Sequence, residues 1–263
     1  MSVTSPSEKI KVAIEGHTAI LTIDNPAANT WDTESLPALK SVVEQLNDDK
    51  SIYALVITGE GEKFFSAGAD LKIFADGDSG KARQMADAFG AAFETLADFR
   101  GVSIAAVNGF AMGGGLEVAL ACDIRVVEEQ AKLALPEARV GLLPCAGGTQ
   151  RLTALVGTGW AKRMILCNER ISAETAMRIG LAEECVGKGE SLERAKQMAA
   201  QVAQQSPVSV AYCKELINQA SRQVMAAGLV AERDKFVDLF DTKDQQEGTQ
   251  AFLEKREPEW VNG

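Results

Sequence analysis

Apolar positions along this chain change rhythm near residue 190. Before that point, short apolar runs alternate with stretches of helical period. Positions 12–14 and 19–23 read as two strands of a hairpin around Gly16, closed by Asp24-Asn25-Pro26. Residues 33–47 carry apolar side chains at 36, 39, 42, 43 and 46, the spacing of an amphipathic helix. Pro37 falls in its first turn, where a missing N–H is tolerated. Positions 52–58 form an apolar, β-branched strand bounded by Gly59 and Gly61, and 81–98 is helical. Positions 102–107 are a second buried strand, a helix ends near 121, and 124–127 is a further strand. After about 190, helix follows helix, at 191–205, 208–222, 225–240 and 244–255, with Pro207 separating the first two.

Strands alternating with helices predict an α/β domain with largely parallel pairing. The change of pattern places a boundary near 200, between an α/β core at 1–199 and a helical module at 200–263. A chain of 263 residues is long enough to bury a full core without staples.

The stretch SIAAVNGFAMGGGLEVALACD at 103–123 concentrates the candidate chemistry. An apolar strand runs into Asn108-Gly109, then into three glycines, then into a helix start carrying Glu117. Glycine lets a backbone approach a ligand closely. The first amides of a helix lack intrahelical partners and sit at the positive end of its dipole, which suits a developing oxyanion. Glu117, three residues after Gly114, shares its helix face, and helical side chains lean toward the N-terminus. Glu137 follows in LALPEARVGLLP, twenty residues on, behind a Pro136 suited to a first helical turn. Two carboxylates across a cleft suit addition of water to an activated double bond, one taking a proton from water and the other delivering one to carbon. A thioester is the natural activating group, and the Gly114 amide is a donor for its oxygen. FFSAGADLK at 64–72 is the candidate for a second donor, with Lys72 placed for a phosphate. Asp70 and Asp123 read as turn or cap acids, Phe89, Phe110 and Met112 as core, and Cys145 as an inert buried thiol.

Composition narrows this further. His17 is the one histidine, so acid–base work falls to carboxylates, Lys, Tyr or Cys. The net charge of −10 argues against non-specific nucleic-acid binding, while leaving room for a small anionic ligand held by a few local cations. Five cysteines, with no C-x-x-C pair, form neither a disulfide framework nor a zinc site and suit a reducing, cytoplasmic compartment. The opening MSVTSPSEKIKV has no apolar segment of signal-peptide type, and no apolar run approaches the roughly 20 residues that span a bilayer.

Several separated motifs, in order, resemble the enoyl-CoA hydratase/isomerase (crotonase) family: FSAGADL at 65–71, AAVNGFAMGGGLEVALACD at 105–123, PEARVGLLPCAGGTQRL at 136–152 and GTQAFLEKREPEW at 248–260. The resemblance implies a spiral of β-β-α units, a C-terminal helical oligomerisation module, and a homotrimer or dimer of trimers. It implies an acyl-CoA thioester as substrate, with no metal and no cofactor beyond the CoA that the substrate carries. It matches Ala69 and Gly114 to the oxyanion-hole amides, Glu117 to the water-activating acid and Glu137 to the proton donor at the α-carbon. It also assigns Ala67, Ala69, Asp70, Leu71 and Lys72 to the CoA and thioester path, with Gly113, Gly114 and Cys145 around the acyl group. Phe236, Phe252 and Lys255 match residues that reach a CoA in or beside a neighbouring subunit. Two departures stand out. Cys145 occupies a position that is often Gly in family hydratases, and NPAANTW at 25–31 lacks the usual Asn-Arg-Pro pattern, placing Trp31 near the acyl pocket. Both acids being present implies a hydratase. The alternatives are an enoyl-CoA isomerase, a hydratase-lyase for branched or aromatic acyl-CoA, and a non-catalytic CoA-binding oligomer.

Overall fold

The computed structural model describes residues 3–259, the side chains of 220–228 excepted. Its elements follow from a repeated pairing of one long strand with one short one. The hairpin forms as expected: β1 (Ile10–Glu15) pairs antiparallel with β2 (Thr18–Ile23), Ile10 facing Ile23. Helix α1 (Ser35–Asp48) follows and buries Leu36, Leu39, Val42, Val43 and Leu46, the stripe its spacing predicts.

Three β-β-α units then succeed one another. The long strands β3 (Ala54–Gly59), β5 (Val102–Val107) and β7 (Ile124–Glu128) join a six-stranded sheet of order β1-β2-β3-β5-β7-β10, where β10 is Glu184–Val186. All its pairs after the hairpin are parallel. The short strands β4 (Phe64–Ser66), β6 (Phe110–Met112) and β8 (Lys132–Ala134) make a second sheet, with β9 (Ile171–Ser172) antiparallel at its edge. Each long–short pair leads to a helix: α2 (Ser79–Ala97), α3 (Gly114–Ala121) and α4 (Gly148–Leu166). The expected α/β spiral of β-β-α units is thus the fold observed. Asn108 ties two units together, its side-chain amide donating to the carbonyls of Gly59 at 2.9 Å and Gly61 at 2.7 Å.

The large sheet is covered on both faces at its centre, which is why β3 and β5 read as nearly continuous apolar runs. Leu55, Ile57, Ala105, Val107 and Val127 enter the main core. The alternate residues Ala54, Val56, Ile104, Ala106 and Val126 meet Ala195 and Ala199 of helix α6 (Ser191–Val202). Helix α5 (Ala173–Arg178) lies between β9 and β10.

The C-terminal run departs from expectation at one point. The helices read at 208–222 and 225–240 are one, α7 (Pro207–Asp238). Residues 222–227 contain neither Pro nor Gly, and the lone Gly228 costs a helix only about 1 kcal/mol, which tertiary packing overrides. Helix α8 (Lys243–Glu254) completes the described elements, none of which is a helix long and apolar enough to cross a membrane.

Candidate active site

The second sheet delivers two turns to the same place. Strand β4 ends at Ser66 and leads into Gly68, at φ +90°; β6 ends at Met112 and leads into Gly113, at φ +53° and ψ −127°. Glycine alone adopts these conformations without strain. The turns touch, because a Cβ on Gly68 would lie 2.7 Å from the Met112 carbonyl and 3.2 Å from the Gly114 nitrogen. The amide after each of these glycines, that of Ala69 and that of Gly114, makes no hydrogen bond among the described residues. The bonds around them are made: Trp31 donates to the Gly68 carbonyl, Asp70 to the Trp31 carbonyl and Gly113 to the Ala134 carbonyl. Two amides are therefore left to act on something else.

Both turns border one cavity of about 960 Å³. Glu117 reaches it from the first turn of α3, with 2% of its surface exposed. Its Oε1 accepts the amides of Ala146 and Gly148, each at 2.8 Å, which leaves Oε2 without a partner among the described residues. Burial raises its pKa well above the ordinary value, with the charges of Glu137 and Glu232 adding and the two amides opposing. Glu137 reaches the cavity from the 3-10 turn Glu137–Val140, behind Pro136. Both its carboxyl oxygens are buried without a hydrogen-bond partner. Burial raises its pKa to about 8, with its own backbone amide opposing and the charge of Glu232 adding.

The remaining residues read from the sequence also border this cavity: Ala67, Asp70, Leu71 and Lys72 on the first turn, Gly113 on the second, and Cys145 before α4. Phe236 on α7, Phe252 on α8 and Lys255 at the end of α8 close it from the C-terminal side of the same chain. Asp70 also caps its own turn, accepting the Lys72 amide at 3.2 Å, while Asp123 accepts from Ser103 and Lys214, away from the cavity. Burial pushes the Cys145 thiol well above its ordinary pKa, as an inert thiol requires.

Two readings change. Phe89, Phe110 and Met112, expected in the core, stand on the cavity wall; Phe89 does both, because α2 lays it against Gly114. Trp31, expected near the acyl pocket, is fully buried behind Gly114, edge-on to Phe93 at 5.4 Å, and forms no part of the wall.

Lys63 and Arg170 join Lys72 and Lys255 at the rim, and none of these four has an ion pair among the described residues. The rim is thus locally positive in a chain of net charge −10. Sequence reasoning also missed Glu232, 5% exposed on α7, which accepts the amides of Gly147 and Thr149. Its context, AERDKF, reads as a solvated helix face, and only the fold brings it beside α4. His17 stacks on Tyr53 at 4.3 Å, off the cavity wall.

The family model for enoyl-CoA hydratase/isomerase matches residues 13–263. The chain is 37% identical to a short-chain-enoyl-CoA hydratase of Clostridium acetobutylicum, over 93% of this chain and 94% of that one. It is 36% identical to a crotonyl-CoA hydratase of Syntrophomonas wolfei, over 97% and 98%. Among solved structures, Pseudomonas aeruginosa DspI is similar with 61% identity, a TM-score of 0.83 and 99% of each chain covered. A carnitinyl-CoA hydratase from Mycobacterium avium superposes with a TM-score of 0.89 at 32% identity, covering 98% of this chain and all of the other. With its spiral of β-β-α units and its turn glycines in place, the chain belongs to the enoyl-CoA hydratase/isomerase family.

Proposed function

We propose that the protein adds water reversibly across the double bond of a trans-2-enoyl-CoA, giving the 3-hydroxyacyl-CoA. The observation that carries this reading is the pair Glu117 and Glu137 on one cavity wall with two unbonded amides. The hydratases among its relatives support it.

In this reading the thioester carbonyl accepts the amides of Ala69 and Gly114. Each such donor is worth roughly a hundred- to a thousand-fold in rate. Water bonds to the β-carbon as Glu117 takes one of its protons, and the π electrons pass through the carbonyl as an enolate. Glu137 then gives its proton to the α-carbon, and exchange with solvent restores both carboxyls. Their environments divide these roles. Burial raises both, but at Glu117 two loop amides on Oε1 favour the carboxylate, whereas at Glu137 only its own backbone amide opposes burial and a proton is retained near neutrality. The reaction consumes only water and the thioester, so its balance calls for no further cofactor. Lys63, Lys72, Arg170 and Lys255 are the cations available to the CoA phosphates.

Segment 200–263 is the oligomerisation module in this reading, and a homotrimer or dimer of trimers is the assembly. Val208, Tyr212, Leu216 and Ile217 stand exposed on α7 and are the apolar surface available for it. Five unpaired thiols are consistent with a cytoplasmic location.

The test is product mass. Incubated with crotonyl-CoA, the protein is expected to yield a thioester heavier by one water, with loss of the conjugated chromophore. A 3-enoyl-CoA converted only to an isomer of unchanged mass, with crotonyl-CoA left intact, would assign a double-bond isomerase instead.

A further inference from the structure

The end of the loop before α4 and the first residues of α4 offer four consecutive amides to two buried carboxylates in alternation. Ala146 and Gly148 donate to Oε1 of Glu117, each at 2.8 Å. Gly147 donates to Oε2 of Glu232 at 2.6 Å and Thr149 to its Oε1 at 2.8 Å, with the Thr149 hydroxyl donating to the same oxygen. Glu232 is 5% exposed, comes from α7 and stands off the cavity wall, so it touches no substrate there. A strip of backbone held from both sides cannot shift toward one carboxylate without losing the other.

We propose that Glu232 is a positioning residue: by holding Gly147 and Thr149 it keeps Ala146 and Gly148 aimed at Oε1 of Glu117, and so fixes the direction in which the Glu117 carboxyl faces the cavity. This rests on the hydratase reading above. It goes beyond it in placing part of the catalytic geometry under the control of the C-terminal helices.

The charge of Glu232 also reaches the site. It acts to raise the pKa of both Glu117 and Glu137. Burial raises the pKa of Glu232 itself, opposed by the Thr149 hydroxyl, the amides of Gly147 and Thr149, and the guanidinium of Arg151 on α4, beyond which lie Glu94 and Asp98 of α2. Arg233, its neighbour on α7, is paired with Glu94.

Glu232→Gln keeps the shape, removes the charge and places an amide NH2 against one of the two donors. With crotonyl-CoA we expect kcat to fall roughly ten- to a hundred-fold at unchanged KM, the size of loss that misaligned catalytic groups produce. Both limbs of the pH–rate profile should also move to lower pH. If the wild-type protein does not hydrate crotonyl-CoA, the hydratase reading falls and takes this inference with it. If the wild type is active and Glu232→Gln loses thermal stability while keeping its kcat, the positioning role alone is overturned. Should Glu232→Gln not fold, Glu232→Asp carries the test, because it keeps the charge but is one methylene too short to hold both the Gly147 and the Thr149 amide in place. A several-fold loss of kcat at unchanged KM supports the proposal, and wild-type kcat overturns it.

Discussion

Gly113 leaves free the space beside Oε1 of Glu137: a Cβ built on that glycine would stand 2.9 Å from the oxygen. The same residue holds φ +53° and ψ −127°, a conformation that turns the Gly114 amide out of the backbone hydrogen-bond pattern. One atom added here strikes the acid and strains the donor together. Gly113→Ala is therefore expected to cost about 1–3 kcal/mol in stability, read as a lower Tm. The folded fraction should also lose most of its turnover. Wild-type kcat in a folded Gly113→Ala variant would remove the amide–acid pairing from the account.

Glu137 makes stability fall as pH rises. Its pKa is raised from 4.5 in ordinary solution to about 8 in the folded chain. Between these values the folded state binds a proton that the unfolded state has released. The stabilisation is complete below about 4.5 and is lost as pH rises through about 8. Thermal melts across that window should show Tm falling with pH, and Glu137→Gln, which has no proton to lose, should make the fall shallower, Glu117 and Glu232 with their raised pKa values supplying the remainder. A Glu137→Gln variant with the wild-type slope would show that this carboxyl is not the group responsible.

Lys72, at the exposed rim, has no acidic partner in the described structure. Lys72→Glu is expected to raise KM for an acyl-CoA several-fold and leave kcat unchanged, since it acts on binding common to ground state and transition state. Added salt should narrow the gap between variant and wild type, because exposed charges about a Debye length apart are screened. A change in kcat alone would place Lys72 in the chemistry rather than at the phosphates.

These residues also show what a reader of the sequence can and cannot see. Glu117 and Gly114 belong to one helical turn, so GGGLE places them together before any folding is considered. The long strands β3 and β5 are six-residue, mostly apolar runs and stand out for the same reason, and β7 shows itself by Ile124, Val126 and Val127. The second sheet does not: β4, β6 and β8 have three residues each and β9 two, too short for a period of two to register. Yet that sheet sets the Gly68 and Gly113 turns side by side. Phe89 is core, as its spacing predicts, and it also walls the cavity, because a buried residue can do both. Glu232 lies 85 residues from Gly147 in sequence, and nothing in its charged surroundings distinguishes it from a surface acid. The continuous helix α7 reads as two in the sequence because a long helix with a weak apolar stripe resembles two shorter ones.

The most direct measurement is the initial rate at which crotonyl-CoA loses its conjugated-thioester absorbance, compared at saturation for wild type, Glu117→Gln and Glu137→Gln. General acid–base groups in position contribute typically a hundred- to ten-thousand-fold. The account predicts rapid loss with wild type and rates lower by at least about a hundred-fold for each folded variant. Both variants proceeding at the wild-type rate would contradict it.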